Sequence, residues 1–184
     1  MPSKRLFVGL PLPPSLGERL LPLMPQAGSG LRATAPEDFH ITLHFLGPAA
    51  DVSVADALRV VSTEAPTIRI GAPGCFRHRR GQSVLYLGID ATPALEALHA
   101  AIGTALAVTT CLPEVRAFRP HLTLARLDRS ADSAAVETFL SRPAPSIRAF
   151  VSKAFALFES VPGNALPRYR ILREFPLPAP AGRG

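Results

Sequence analysis

Tryptophan is absent from this 184-residue chain, and Asp, Glu, Lys and Arg together make up only 18% of it. Cysteine is scarce too. Cys75 and Cys111 stand alone, in neither a C-x-x-C pair nor a zinc-finger spacing. That excludes the common thiolate metal frameworks and favours free thiols in a reducing compartment. No H-E-x-x-H occurs, so the metalloprotease type of zinc helix is excluded as well. Long apolar runs are also missing. Arg5 interrupts the apolar start, and no stretch approaches the roughly 18 residues a membrane span requires. A cytoplasmic protein with neither membrane nor metal is expected.

Hydrophobic residues nevertheless reach 47%, enough for a real core in one domain or two small lobes. Twenty Lys and Arg against 14 Asp and Glu give a net charge of +6 and a pI near 10.3. Such a balance favours an acidic partner, a polyphosphate or a nucleic acid, as readily as it describes a merely basic enzyme.

The order of elements follows from periodicity and punctuation. Arg5 to Leu10 reads as a strand closed by prolines. Ser15 to Met24 reads as a helix that Pro22 shortens or kinks. Leu31 to Thr34 is a short strand, and Phe39 to Leu46 a strand closed by Gly47-Pro48. Val52 to Thr63 reads as a helix. Thr67 to Gly71 and Ser83 to Ile89 are strands flanking a basic loop, Cys75 to Gly81. Pro93 to Ala107 is a helix with Thr92 as N-cap and Pro93 at its first position. Phe118 to Arg126 is a strand and Ala131 to Leu140 a helix. Ile147 to Ser160 and Arg168 to Phe175 are the last strands. The sum is an α+β protein. Residues 1–176 are expected to form one bilobal unit, and 177–184 a disordered tail.

One pattern occurs twice, 81 positions apart: His40-Ile41-Thr42-Leu43 and His121-Leu122-Thr123-Leu124. In an extended strand His and Thr share a face and the apolar pair faces the core. Each copy follows a strand and a helix, which points to internal duplication. Two motif strands meeting between two lobes would line one cleft with both His-Thr faces. Paired imidazoles can supply one base and one acid near neutral pH. Two hydroxyls can hold non-bridging phosphate oxygens. That set suits in-line displacement at phosphorus without a metal.

The chain resembles the two-histidine phosphoesterases, within them the RNA 2′,3′-cyclic phosphodiesterase (2′-5′ RNA ligase) family. The likeness rests on RLFVGLPLP near the start, Asp38 to Gly47 (DFHITLHFLG), SVLYLGI, Arg119 to Arg126 (RPHLTLAR) and Tyr169 to Leu172. It implies a bilobal fold with antiparallel sheets flanked by helices and a cleft between the lobes. It implies hydrolysis of RNA 2′,3′-cyclic phosphate ends to 2′-phosphomonoesters, with a reverse 2′-5′ ligation open to some members, and no cofactor. By position it makes His40 the proton donor and His121 the proton acceptor, with Thr42, Thr123 and Arg126 on the phosphate. Simple alternation puts Arg126 on the face opposite His121, so a bulge or a strand end must turn it back; otherwise it is a surface charge.

Other residues carry open alternatives. His44 shares parity with His40 and Thr42, so it either supports the cleft from its rim or has no part in it. Phe7 is core, or a stacking surface for an RNA base. Arg77, Arg79 and Arg80 grip RNA phosphates, or decorate a solvated hairpin tip. His78 and His99 read as a loop residue and a helix-surface residue. The alternative functions are a phosphodiesterase on a small cyclic or 2′-5′ linked nucleotide, and a non-catalytic RNA-binding module. Since one chain holds both motif copies, a monomer is expected.

Overall fold

A computed structural model describes residues 4–24, 30–78, 82–109, 117–163 and 166–180. Its strands and helices run β1 (Lys4–Pro11), α1 (Pro14–Leu20), β2 (Leu31–Ala33), β3 (His40–Ala49), α2 (Asp51–Leu58), β4 (Thr67–Ile68), β5 (Ile70–Phe76), β6 (Ser83–Ile89), α3 (Pro93–Leu106), β7 (His121–Leu127), α4 (Ser133–Leu140), β8 (Phe150–Val151), β9 (Ala154–Val161) and β10 (Arg168–Pro176). The expected α+β class holds.

The main sheet is antiparallel, in the order β10-β9-β1-β3-β7-β6-β5, with β2 also on β7. It is two half-sheets joined at a seam. Strand β3 carries β1, β9 and β10 on one side; β7 carries β6, β5 and β2. Between the halves a single pair, Ile41 with Leu122, connects β3 to β7. The two motif strands therefore meet once and diverge, which opens a cleft on one face. The separate β4–β8 pair is small.

Behind the seam lies the core. Ile41, Leu43, Leu122 and Leu124, the apolar half of each motif, are buried with Leu6, Val8 and Leu10 of β1. Helix α3 presents Leu95, Leu98, Ile102 and Leu106 to that core at helical spacing. Its start follows from capping: Thr92 accepts from the Leu95 N–H, and Pro93 occupies the first turn. Helix α4 starts at Ser133 because Asp132 caps it through the Ala134 N–H.

Several boundaries differ from the sequence reading. Pro22 ends α1 at Leu20 and sits in a 3-10 turn, Leu21–Leu23. Helix α2 stops at Leu58. Strand β5 runs on through Pro73, Gly74 and Cys75 to Phe76, where a loop was expected; β5 is an edge strand, which tolerates a proline that cannot donate to the ladder. The tail expected from residue 177 does not begin there. Leu177 is 8% exposed, its N–H donates to the Lys153 carbonyl, and the Pro178 carbonyl accepts from the Ala65 N–H. An apolar side chain and two backbone bonds order those residues against the body. Residues 181–184 lie outside the described residues.

Candidate active site

Both motif strands carry the same irregularity three residues after their histidine. On β3 the register with β1 jumps from Thr42 (facing Gly9) to His44 (facing Val8). On β7 the register with β6 jumps from Thr123 (facing Tyr86) to Ala125 (facing Leu85). Leu43 and Leu124 are thus the extra residues of two bulges, and alternation resets after each. Residues 44 and 125 turn inwards; 45 and 126 turn to the histidine face. Of the two ways expected to turn Arg126 back, a bulge or a strand end, the structure has the bulge.

Four side chains of the motifs gather at the seam. Antiparallel pairing about Ile41 and Leu122 sets His40 beside Thr123, and Thr42 beside His121. All four are half-buried. Each imidazole is aimed the same way: His40 Nδ1 lies 2.7 Å from the Asp38 carbonyl, and His121 Nδ1 lies 2.7 Å from the Arg119 carbonyl. A carbonyl only accepts, so both Nδ1 atoms bear the hydrogen. That leaves Nε2 of each neutral ring as the free lone pair.

Burial and nearby cations bias both rings towards the neutral form. Burial pushes His40 down to about 4 from an ordinary 6.5, and the nearby His121 and Arg126 add to the fall. His121 is lowered mainly by burial and further by Arg126. Arg126 therefore acts on both histidines. No carboxylate pairs with its guanidinium among the described residues. It also lines a pocket of about 450 Å³ with Thr34, Asp38, Arg168 and Tyr169. A cleft with an unpaired guanidinium, two hydroxyls and two imidazoles is built to receive an anion and to move protons around it.

Aromatic rings wall each histidine. His40 packs against Phe7 (4.7 Å between centroids), Tyr169 (4.6 Å, edge-on) and Phe158 (5.7 Å). His121 packs against Phe76 (4.8 Å) and Tyr86 (5.4 Å). Gly74 makes room for Tyr86, whose ring atoms lie within 2.6 Å of where a Cβ at residue 74 would stand. Across the first half-sheet, Phe45, Phe7, Phe158 and Ile171 form one row.

Two open alternatives close here. Phe7 is 2% exposed, covered by its neighbours, and has no face to offer a base. His44 is not at the cleft rim: the Leu43 bulge turns it into the core, where its Nε2–H donates to the His99 carbonyl (2.8 Å) and its ring stacks on His99 at 4.1 Å. His99 in turn stacks on Phe118 at 4.0 Å, so it is a packed residue rather than a free helix-surface one. Arg79 and Arg80 lie outside the described residues. Residues the sequence reading missed are Phe45, 52% exposed on the histidine face at the position that Arg126 holds in the other half, and Tyr169 beside His40.

The depressed histidines set an acid sensitivity. His40 charges only near pH 4 when folded but near its ordinary 6.5 when unfolded. Between those values the unfolded chain binds more protons, so stability is intact above pH 7 and falls as pH drops towards 4. His40 alone accounts for about 3 kcal/mol of that loss. His44 and His99, also lowered by burial, act in the same direction. Urea denaturation at pH 7.5 and 4.5 is expected to show a lower midpoint at 4.5, and His40→Ala is expected to reduce the difference.

A sheet split at one backbone pair, with a His-x-Thr strand from each half facing a common cleft, is the architecture of the two-histidine phosphoesterases. The chain belongs to the 2′-5′ RNA ligase superfamily, whose family model matches residues 13–161. It is 26% identical over 176 residues to an RNA 2′,3′-cyclic phosphodiesterase of Archaeoglobus fulgidus, covering 93% of this chain and 99% of that protein. It is 27% identical over 192 residues to a protein of the same name from Geobacillus stearothermophilus, covering all of this chain and 60% of that one. Among solved structures, E. coli LigT complexed with 3′-AMP has the same fold, with a TM-score of 0.78 at 22% identity over 95% of this chain and 98% of that one. No helix among the described residues is long and apolar enough to cross a membrane.

Proposed function

We propose that the protein hydrolyses 2′,3′-cyclic phosphate ends of RNA to 2′-phosphomonoesters by histidine acid-base catalysis without a metal. The observation that carries this reading is the pair of Nδ1-anchored imidazoles facing one cleft with Arg126 between their influence. Relatives at 26 and 27% identity bear the name of that activity.

In the proposed reaction Thr42, Thr123 and Arg126 hold the non-bridging oxygens of the cyclic phosphate. His121 Nε2 takes a proton from water as the water oxygen bonds to phosphorus. The bond from phosphorus to the 3′ oxygen breaks, and protonated His40 gives its Nε2 proton to that oxygen. The products are a 3′-hydroxyl and a 2′-phosphate. A bound phosphate anion favours the imidazolium form, so substrate itself raises His40 from its resting value towards the pH at which it carries the proton. The exposed face of Phe45 offers the nucleobase a stacking surface. Reverse 2′-5′ ligation uses the same groups in exchanged roles. A reducing, cytoplasmic setting, in which Cys75 stays a free thiol, and a monomeric state, since one chain completes the cleft, go with this reading.

The test is incubation, with EDTA present, of purified protein with an RNA oligonucleotide ending in a 2′,3′-cyclic phosphate, followed by identification of the terminus. A 2′-phosphate is expected. A 3′-phosphate overturns the regiochemistry. RNA retained but unreacted supports a binding module instead, and turnover confined to small cyclic nucleotides narrows the substrate class.

A further inference from the structure

Asp38 does more than lend a carbonyl to His40. Asp38 is 5% exposed, the one Asp, Glu, Lys or Arg among the described residues that is buried. One carboxylate oxygen lies 2.6 Å from Arg168 Nε; the other accepts the Tyr169 N–H at 2.9 Å. Arg168 and Tyr169 begin β10, the edge strand at the far end of the first half-sheet. Arg168 also reaches Glu37 through Nη2 at 2.8 Å. The segment before His40 is a tight 3-10 turn, Pro36–Asp38, closed by the Asp38 N–H on the Ala35 carbonyl and the Phe39 N–H on the Pro36 carbonyl. A short turn pinned by one buried side chain to a distant strand has little freedom left. The carbonyl that fixes His40 is part of that turn. The Tyr169 ring stands edge-on to the imidazole. His121 lacks an equivalent. Its orienting carbonyl belongs to Arg119, whose side chain is exposed and makes no ion pair among the described residues.

We infer that Asp38 and Arg168 form a clamp that ties the turn before β3 to β10 and thereby fixes the tautomer and aim of His40, a positioning role on which proton delivery depends. The activity readouts rest on the proposed phosphodiesterase function; the spectroscopic one does not.

Two variants test the clamp. Asp38→Asn keeps an acceptor for the Tyr169 N–H and removes the charge that holds Arg168. Arg168→Gln, at a side chain 55% exposed, loosens the same contact from the other side without emptying a buried position. With a 2′,3′-cyclic phosphate substrate, each is expected to lower kcat by about tenfold or more, the scale of a misaligned proton donor, and to leave KM within about twofold. Arg168→Lys, which keeps a cation for the carboxylate, is expected to recover part of the loss. Nitrogen-15 NMR of the imidazoles, without substrate, is expected to show His40 moving from the Nδ1–H form to a tautomer mixture, with His121 unchanged. A folded Asp38→Asn or Arg168→Gln protein with wild-type His40 spectra overturns the clamp. If Asp38→Asn does not fold, Arg168→Gln decides alone. If His40 moves but wild-type protein shows no turnover, the clamp stands and the proposed function falls.

Discussion

Replacing either motif histidine by alanine is expected to lower kcat for a 2′,3′-cyclic phosphate by about 10²–10⁴-fold, the usual contribution of a positioned acid or base. KM is expected to change little, because the proposed phosphate-holding groups Thr42, Thr123 and Arg126 are left in place. The double variant is expected to fall hardly below the worse single one, since a proton relay that has lost one end gains nothing from the other. Two equally anchored imidazoles do not by themselves say which gives the proton. Leaving-group dependence does. With a phosphodiester whose leaving group is a nitrophenolate, stable without protonation, the defect of the donor variant shrinks and that of the base variant persists. If His40 is the donor, His40→Ala recovers on that substrate and His121→Ala does not. The reverse pattern would exchange the two roles, and wild-type kcat in either variant would remove that residue from the mechanism.

The sequence made the site legible where the physics was local and periodic. His and Thr on one face with apolar partners behind is a period-two statement, and Ile41, Leu43, Leu122 and Leu124 are buried as it requires. Helix α3 was legible through Thr92, Pro93 and its apolar stripe. What alternation could not supply was its own interruption. A bulge has no residue signature of its own here, since Leu43 and Leu124 look like any strand leucine. The clue lay one step away. Arg126 could share the His121 face only through a bulge or a strand end, and a bulge applied to the first copy as well turns His44 inwards and Phe45 outwards. Unbroken parity left the rim open to His44 and overlooked Phe45. The clamp was illegible for another reason: Asp38 and Arg168 are 130 positions apart, and only the antiparallel order β10-β9-β1-β3 brings them together. The burial of Leu177 was hidden by composition, because the proline-rich sequence after Phe175 looks like a tail although Leu177 is an anchor.

Arg126→Ala is expected to have the second largest effect, a fall of about 10²–10³-fold in kcat/KM, comparable to deleting one donor aimed at developing charge. Arg126→Lys is expected to recover little of it, because a point charge does not reproduce a planar fork across two phosphate oxygens. A second signature separates this residue from an ordinary surface cation. Arg126 helps to hold both His40 and His121 below their ordinary range. A positive neighbour disfavours imidazolium, so removing it raises both histidines, while burial, the larger cause, keeps them below 6.5. Both limbs of the pH profile of kcat/KM, which reports the free protein, are then expected to move to higher pH in Arg126→Ala. Because the two rings titrate beside one another, the limbs belong to the pair, and NMR titration of each imidazole assigns the movement. Loss of activity with unmoved histidines would confine Arg126 to the substrate. Unmoved histidines with unmoved activity would mean that the guanidinium does not face the cleft, and the bulge at Leu124 would then have no functional consequence. Movement of both rings together with the fall in rate ties the register of one strand pair to the chemistry at the seam: a single extra leucine decides whether the cation stands beside the phosphate or on the far side of the sheet.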